Sequence, residues 1–410
     1  WNSPFYGLGL KVYDMMAGKM GLGPSTLLDK KETVELINNV NQEGLRGGVI
    51  YHDGQFDDSR MAITLALTAS NLGATLINYV EVTGLLKENG LITGLEVLDH
   101  ESEQRYTIKT KVVINATGVF SDRIVKLDQP EAQPMIRPSQ GVHLVLERAF
   151  LDGPHAIMIP HTSDGRVLFA VPWHDHVVLG TTDTPIDYAD EEPKALEEEI
   201  AFILSNASQY MTKKPKIEDV KSVFAGLRPL AVQQGDSMQT KEVSRHHKVN
   251  VSTSGLISVL GGKWTTYRKI GEDTIDTAVL VGGLREQKCE TKKLLLHGYD
   301  EDTHIDDPLH VYGSDRQKIL SMGTPEDNKS MSNKFYITKN LVLWAVKHEM
   351  SIHIEDVLAR RVRCLFLDAK ETLKIAPKVA KIMASALQKD DQWIAKELNK
   401  FNTITQNYIL

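Results

Sequence analysis

The stretch "SVLGGKWTTYRK", Ser258 to Lys269, sets a β-branched apolar run, a glycine pair and a lysine ahead of a helix-like segment. A loop that cradles a triphosphate has this order, but it needs G-x-x-x-x-G-K followed at once by Ser or Thr to hold magnesium. Here Lys263 is followed by Trp264, and Ile257 stands five residues before Gly262. The spacing excludes a P-loop. What it describes is a strand, "GLISVL", that delivers Gly261 and Gly262 to a helix starting at Thr265 or Thr266. Open N–H groups and the positive end of the helix dipole favour an anion there by ~0.3–1 kcal/mol. Lys263 adds a full charge, although an ordinary strand-to-helix turn with a surface lysine has the same letters.

Working outward, "KVVINATGVFSDRI" (111–124) is an apolar strand running into a turn at Ala116, Thr117 and Gly118. Glycine at such a strand end lets backbone approach a ligand closely, and it is equally a plain strand terminus. "FAGLRPL" places Arg228 before a proline, which biases it to extended backbone, and "SRHHKV" supplies Arg245. Each arginine is by default a solvated charge; converging with Lys263 they would hold a phosphate or carboxylate. His143 lies mid-strand in "SQGVHLVL", either as a satisfied core histidine or as a proton acceptor facing a pocket. "PWHDH" (172–176) looks like a metal cluster but reads as a hairpin tip, since adjacent strand residues face opposite ways. No metal is expected.

The rest of the chain bounds these readings. It has 410 residues, 41% hydrophobic and 25% charged, with net charge −7. That is ordinary globular composition for two or three domains, without the basic footprint of a nucleic-acid partner. Two cysteines, Cys289 and Cys364, offer neither metal spacing nor a disulfide framework, so a reducing cytoplasm is expected. No apolar run approaches ~20 residues, and any membrane contact would be peripheral.

Along the chain, a helical start leads to a short strand near 50, then a helix capped by Asp57 or Asp58. Its apolar residues Met61, Ile63, Leu65, Ala66 and Leu67 are expected to make a mostly buried face. A meander follows to about 115. From about Ile136 to Thr184, short apolar runs broken by Gly, Pro, Asp and His predict an antiparallel sheet. From about 290 onward, a charged linker gives way to helical periodicity. The divisions expected are an entry segment at 1–50, α/β parts at 51–125 and 231–285, an antiparallel domain at 126–230 and a helical domain at 290–410.

Taken together, "YHDGQFDDSRM", "VVINATGVFSD", "IRPSQGVHLVL", "FAGLRPL", "LGGKWTTYRKIGEDTIDTA" and "AVKHEMSIHIEDVLARRVRCLFLD" resemble, in this order, the FAD-dependent glycerol-3-phosphate dehydrogenases. The resemblance covers essentially the whole chain. It implies an α/β and α+β fold: a doubly wound FAD-binding domain interleaved with an antiparallel-sheet substrate domain, plus a C-terminal helical domain. It implies that Ala116, Thr117 and Gly118, with Gly261, Gly262, Lys263, Trp264, Thr265 and Thr266, lie against FAD. Arg228, Arg245 and Lys263 would bind substrate, with His143 as candidate general base; His143, Arg228 and Lys263 form the catalytic set. The implied reaction takes hydride from C2 of glycerol 3-phosphate to FAD and gives dihydroxyacetone phosphate. The partners it implies are quinone as electron acceptor, a membrane surface met peripherally at the inner face of the cell membrane, and a second copy in a homodimer.

One departure sets a further expectation. The family opens with a strand, a G-x-G-x-x-G turn and a helix around the FAD pyrophosphate. "GLG" at 7–9 and "GLG" at 21–23 lack the third glycine and any apolar strand before them. The doubly wound domain is therefore expected to be incomplete, the chain as it stands to bind FAD poorly, and the parallel sheet to keep a gap or an exposed edge. Two other readings stand beside the dehydrogenase: a non-catalytic remnant serving as a binding module, and a related flavin oxidase of another hydroxy acid or amine.

Overall fold

The structure, a computed structural model, describes residues 15, 21–159, 162–232 and 247–410. The long antiparallel pairing begins where the sequence turns to short alternating runs. β7 (Ile136–Glu147) pairs with β12 (Ser222–Ala231) on one side and with β10 (His176–Gly180) and β11 (Thr184–Pro185) on the other. β9 (Leu168–Trp173) and β8 (Ile157–Ile159) extend the sheet beyond β10. With a side-chain period of two, Val142, Leu144 and Leu146 of β7 face one way, into a core with Val177 and Leu179 of β10. Helix α4 (Glu197–Tyr210) closes that core with Ile203 and Ala207. Ser139, Gly141, His143 and Val145 face the other way.

The second sheet is thinner. β6 (Ile114–Asn115) runs parallel to β14 (Ile257–Leu260), which pairs antiparallel with β13 (Lys248–Val251). Among the described residues no strand pairs with the far side of β6, and Ile114 is 37% exposed there. The meander is β3 (Val80–Glu88), β4 (Leu91–Asp99) and β5 (Gln104–Lys109), as its alternation predicts.

The helical start expected from the sequence lies, apart from residue 15, outside the described residues. Beyond it, β1 (Thr26–Asp29) pairs antiparallel with β2 (Gly47–Ile50), and the short helix α1 (Lys30–Leu36) lies between them. One expectation is corrected. Helix α2 (Asp58–Asn71) is capped by Asp57, whose carboxylate accepts from the Arg60 N–H at 3.0 Å. Its buried residues, however, are Arg60 and Thr68; Met61, Ile63, Leu65, Ala66 and Leu67 are only half-buried. The helix leans mainly on the turn Asp356–Arg361 of the C-terminal region, and polar pairing sets its orientation. Arg60 meets Glu349 through two hydrogen bonds of 3.1 and 2.6 Å, both partners buried.

The C-terminal region is helical: α7 (Lys339–His348), α8 (Cys364–Leu367), α9 (Ala369–Leu387) and α10 (Asp391–Thr405), numbered after α3 (Ser121–Asp128), α4, α5 (Tyr267–Val281) and α6 (Arg316–Leu320). Its core includes Val342, Val357, Leu365, Val379 and Met383, all fully buried. Trp173 and Phe224 of the large sheet pack against it. The helical region thus covers part of the sheet face that α4 leaves free.

Candidate functional site

On that face β7 and β12 place two glycines opposite each other, Gly141 and Gly226. A Cβ on Gly226 would meet nothing within 4 Å, so the floor here is open. One step along each strand, the floor gains a wall. Arg228 folds its guanidinium over Gly141, where a Cβ would stand 2.5 Å from Nη2. His143 lies over Gly180, its register partner on β10, where a Cβ would come within 2.1 Å of the ring. Only glycine admits the two side chains in these places.

Arg228 is held by the loop after β10. Its Nη1 donates to Asp183 Oδ1 at 3.3 Å, and Nη2 donates to Thr181 Oγ1 at 3.2 Å and to the Thr182 carbonyl at 3.1 Å. Asp183 also accepts from the Ser139 hydroxyl. Buried Glu199 of α4 fixes the loop from below, accepting from Thr182 at 2.8 Å, Thr184 at 2.6 Å and Gln140 at 2.7 Å. Desolvation of the imidazole, with Arg228 nearby, lowers the His143 pKa to about 4. It is therefore neutral near pH 7 and able to accept a proton.

The two glycine turns meet at the ends of neighbouring parallel strands, the position at which open α/β sheets bind ligands. Buried Asn115 joins them: its Nδ2 donates to Ser258 Oγ at 3.2 Å, and its Oδ1 accepts from Thr117 Oγ1 at 2.7 Å. Gly118 has φ 59°, and a Cβ on it would meet nothing within 4 Å. Gly261 and Gly262 have φ 66° and 90°. No side chain caps the turn Trp264–Thr266 or the start of α5. Lys263, Thr265 and Thr266 are exposed, and Trp264 packs edge-on against Phe56 at 6.0 Å and Tyr267 at 5.4 Å. Phe56 belongs to the "YHDGQFDD" stretch, so three of the quoted motifs converge here.

The two halves are stitched together. Asp122, just after the Gly118 turn, accepts from the backbone N–H groups of Met135 and Ile136 at 3.0 and 3.2 Å, at the start of β7. Ile136, Ala231 and Leu260 form one buried cluster, so β14 ends against the ends of β7 and β12. The structure thus brings His143 and Arg228 to one floor and sets the 116–118 turn and the 261–266 loop at its margin. Lys263 extends from that loop, and Arg245 lies outside the described residues. His174 and Asp175 form the hairpin tip, at φ 43° and 57°. Sequence reasoning missed Thr181, Asp183 and Glu199; the polar run "GTTDTP" directly after an apolar strand carried a signal for the first two, and none marked Glu199.

Tested against FAD, the residues fit the flavin end. Two positive-φ glycine turns, a helix start without a side-chain cap and the Trp264 ring lie together at the ends of β6 and β14, where backbone N–H groups and an aromatic face could contact a planar group. For the pyrophosphate end, the sequence holds no G-x-G-x-x-G loop.

Residues 8–268 match the family described as FAD dependent oxidoreductase, and residues 259–394 match the C-terminal domain of alpha-glycerophosphate oxidase. The chain is 33% identical to the mitochondrial glycerol-3-phosphate dehydrogenase of Bos taurus, across 97% of this chain and 58% of that protein. It is 34% identical to the Schizosaccharomyces pombe protein of the same name, across 95% of this chain and 70% of that one. Among solved structures, it is similar to the glycerol-3-phosphate dehydrogenase of Bacillus halodurans complexed with FAD. The TM-score is 0.79 at 25% identity, covering 93% of this chain and 79% of that one.

Proposed function

The chain belongs to the FAD dependent oxidoreductase family, and from that premise we propose that it oxidises glycerol 3-phosphate at C2 to dihydroxyacetone phosphate. The observation that carries the reading is the floor open at Gly226, walled by the Arg228 cation over Gly141 on one side and the neutral His143 imidazole on the other. A substrate with one anionic end and one secondary alcohol matches that polarity. The relatives' names point the same way.

Bound FAD supplies the hydride acceptor, with Gly118 and Gly261 to Thr266 holding its flavin end. Arg228 pairs with the phosphate, and its bonds to Thr181 and Asp183 pre-set the guanidinium, so little side-chain freedom is lost on binding. Lys263 extends a further positive charge from the glycine loop, and the family resemblance assigns Arg245 the same substrate. His143 takes the C2 hydroxyl proton as the alcohol becomes a carbonyl. Phosphate beside Arg228 offsets the cation that disfavours imidazolium, so substrate binding itself makes His143 a stronger base. The same reading makes quinone the electron acceptor, met peripherally at a membrane. The family resemblance supports this part, and among the described residues no helix is long and apolar enough to cross a membrane.

The test is anaerobic addition of glycerol 3-phosphate to FAD-loaded protein, which should bleach the oxidised flavin absorption. Arg228→Ala should raise KM roughly tenfold to a hundredfold, the worth of a charged contact of about 1.5–3 kcal/mol. A bound flavin that glycerol 3-phosphate leaves oxidised would overturn the proposal.

A further inference from the structure

A histidine that accepts a proton in catalysis is usually oriented through its other ring nitrogen, by a carboxylate or a backbone carbonyl. Among the described residues no hydrogen bond is made to His143, and packing flanks its ring on both faces. On one side is Gly180, whose missing Cβ gives the imidazole its place. On the other is Phe224, its register partner on β12, stacked at 5.1 Å between centroids and 18° between planes.

Phe224 is in turn backed by a ring from a distant part of the chain. Phe366 of α8 meets it edge-to-face at 4.9 Å and 63°. The Arg363 guanidinium lies 4.3 Å over the Phe366 ring and pairs with Asp58 at 3.3 Å. Arg363 takes a left-handed φ of 60°, at a cost in backbone energy, to reach this position. The line from Arg363 through Phe366 and Phe224 to His143 is continuous contact.

We propose that Phe366, carried by the C-terminal helical region, is a positioning residue for His143: through Phe224 it fixes the imidazole over Gly180, in place of the hydrogen bond that such a base ordinarily receives. The helical region then completes the site from behind, by holding a ring in register and not by touching substrate. The positioning role rests on the function proposed above, but the ring stack can be tested without it.

The experiment follows the His143 ring by NMR titration of the 410-residue chain labelled at histidine, assigned with His143→Gln, with neither cofactor nor substrate present. The charged group facing this imidazole is Arg228, which every variant retains. Phe366→Leu should move the His143 midpoint upward by about one pH unit, toward free imidazole, as the loosened ring gains water. Phe366→Ala should move it further. Phe366→Leu keeps most of the packed volume, so it carries the test if the alanine variant does not fold. In FAD-loaded enzyme the leucine variant should lose roughly tenfold in kcat, with KM for glycerol 3-phosphate within about twofold, because Arg228 is untouched. A His143 titration identical in wild type and variants would overturn the proposal. A shifted titration in a protein that does not oxidise glycerol 3-phosphate would overturn the function and leave the stack standing.

Discussion

The two sheets of this molecule solve different problems. The large antiparallel sheet has one face sealed by α4, with Val142, Leu144, Leu146, Val177 and Leu179 fully buried. The candidate site's side chains, His143 and Arg228, sit on the opposite face at fixed register, supported by backbone. The small sheet that carries β6 and β14 buries Ile257 and Leu260, yet presents mostly loop backbone and exposed side chains at its strand ends. One sheet prepares side chains in advance of any ligand. The other offers N–H groups and glycine turns whose natural neighbour is a ligand.

Substitutions can sharpen this contrast. The largest stability effect should come from Leu144→Ala beneath the large sheet, about 2–5 kcal/mol, because the cavity lies in a packed core that collapses little. Chemical denaturation reads it, and a loss under 1 kcal/mol would mean that the sheet is looser than its burial indicates. Gly180→Ala should cost about 1–3 kcal/mol by overpacking, since its methyl group falls on the His143 ring. It should also lower catalytic turnover more than substrate affinity; an unchanged kcat would separate His143 from the reaction. Trp264→Ala on the small sheet's loop should change stability by no more than about 0.5 kcal/mol. It should nonetheless weaken flavin binding in a fluorescence titration, and an unchanged affinity would remove this loop from the cofactor site.

The large sheet was legible because alternation reports burial directly: "GVHLVLE" and "HVVLG" read as strands, and they are strands. The glycine turns at 118 and 261–262 were legible because few residues tolerate positive φ. The partners of these elements were not. Nothing near Arg228 in sequence announces Asp183, 45 residues away, and nothing near Thr182 announces Glu199 beneath it. The apolar periodicity of α2 predicted a buried face, but tertiary contacts through Arg60 and Thr68 overrode it. Local pattern carries local geometry, whereas a polar network between distant segments has no period to detect.

The bond between Arg60 and Glu349 spans 289 positions of chain, and on a ribosome that distance is time. At about 5–20 residues per second, α2 emerges roughly 15–60 s before its counter-charge exists. During that interval a helix with a half-apolar face and an arginine destined for burial must wait in water or in the keeping of another protein. The beginning of the fold therefore cannot be finished until nearly its end has been made.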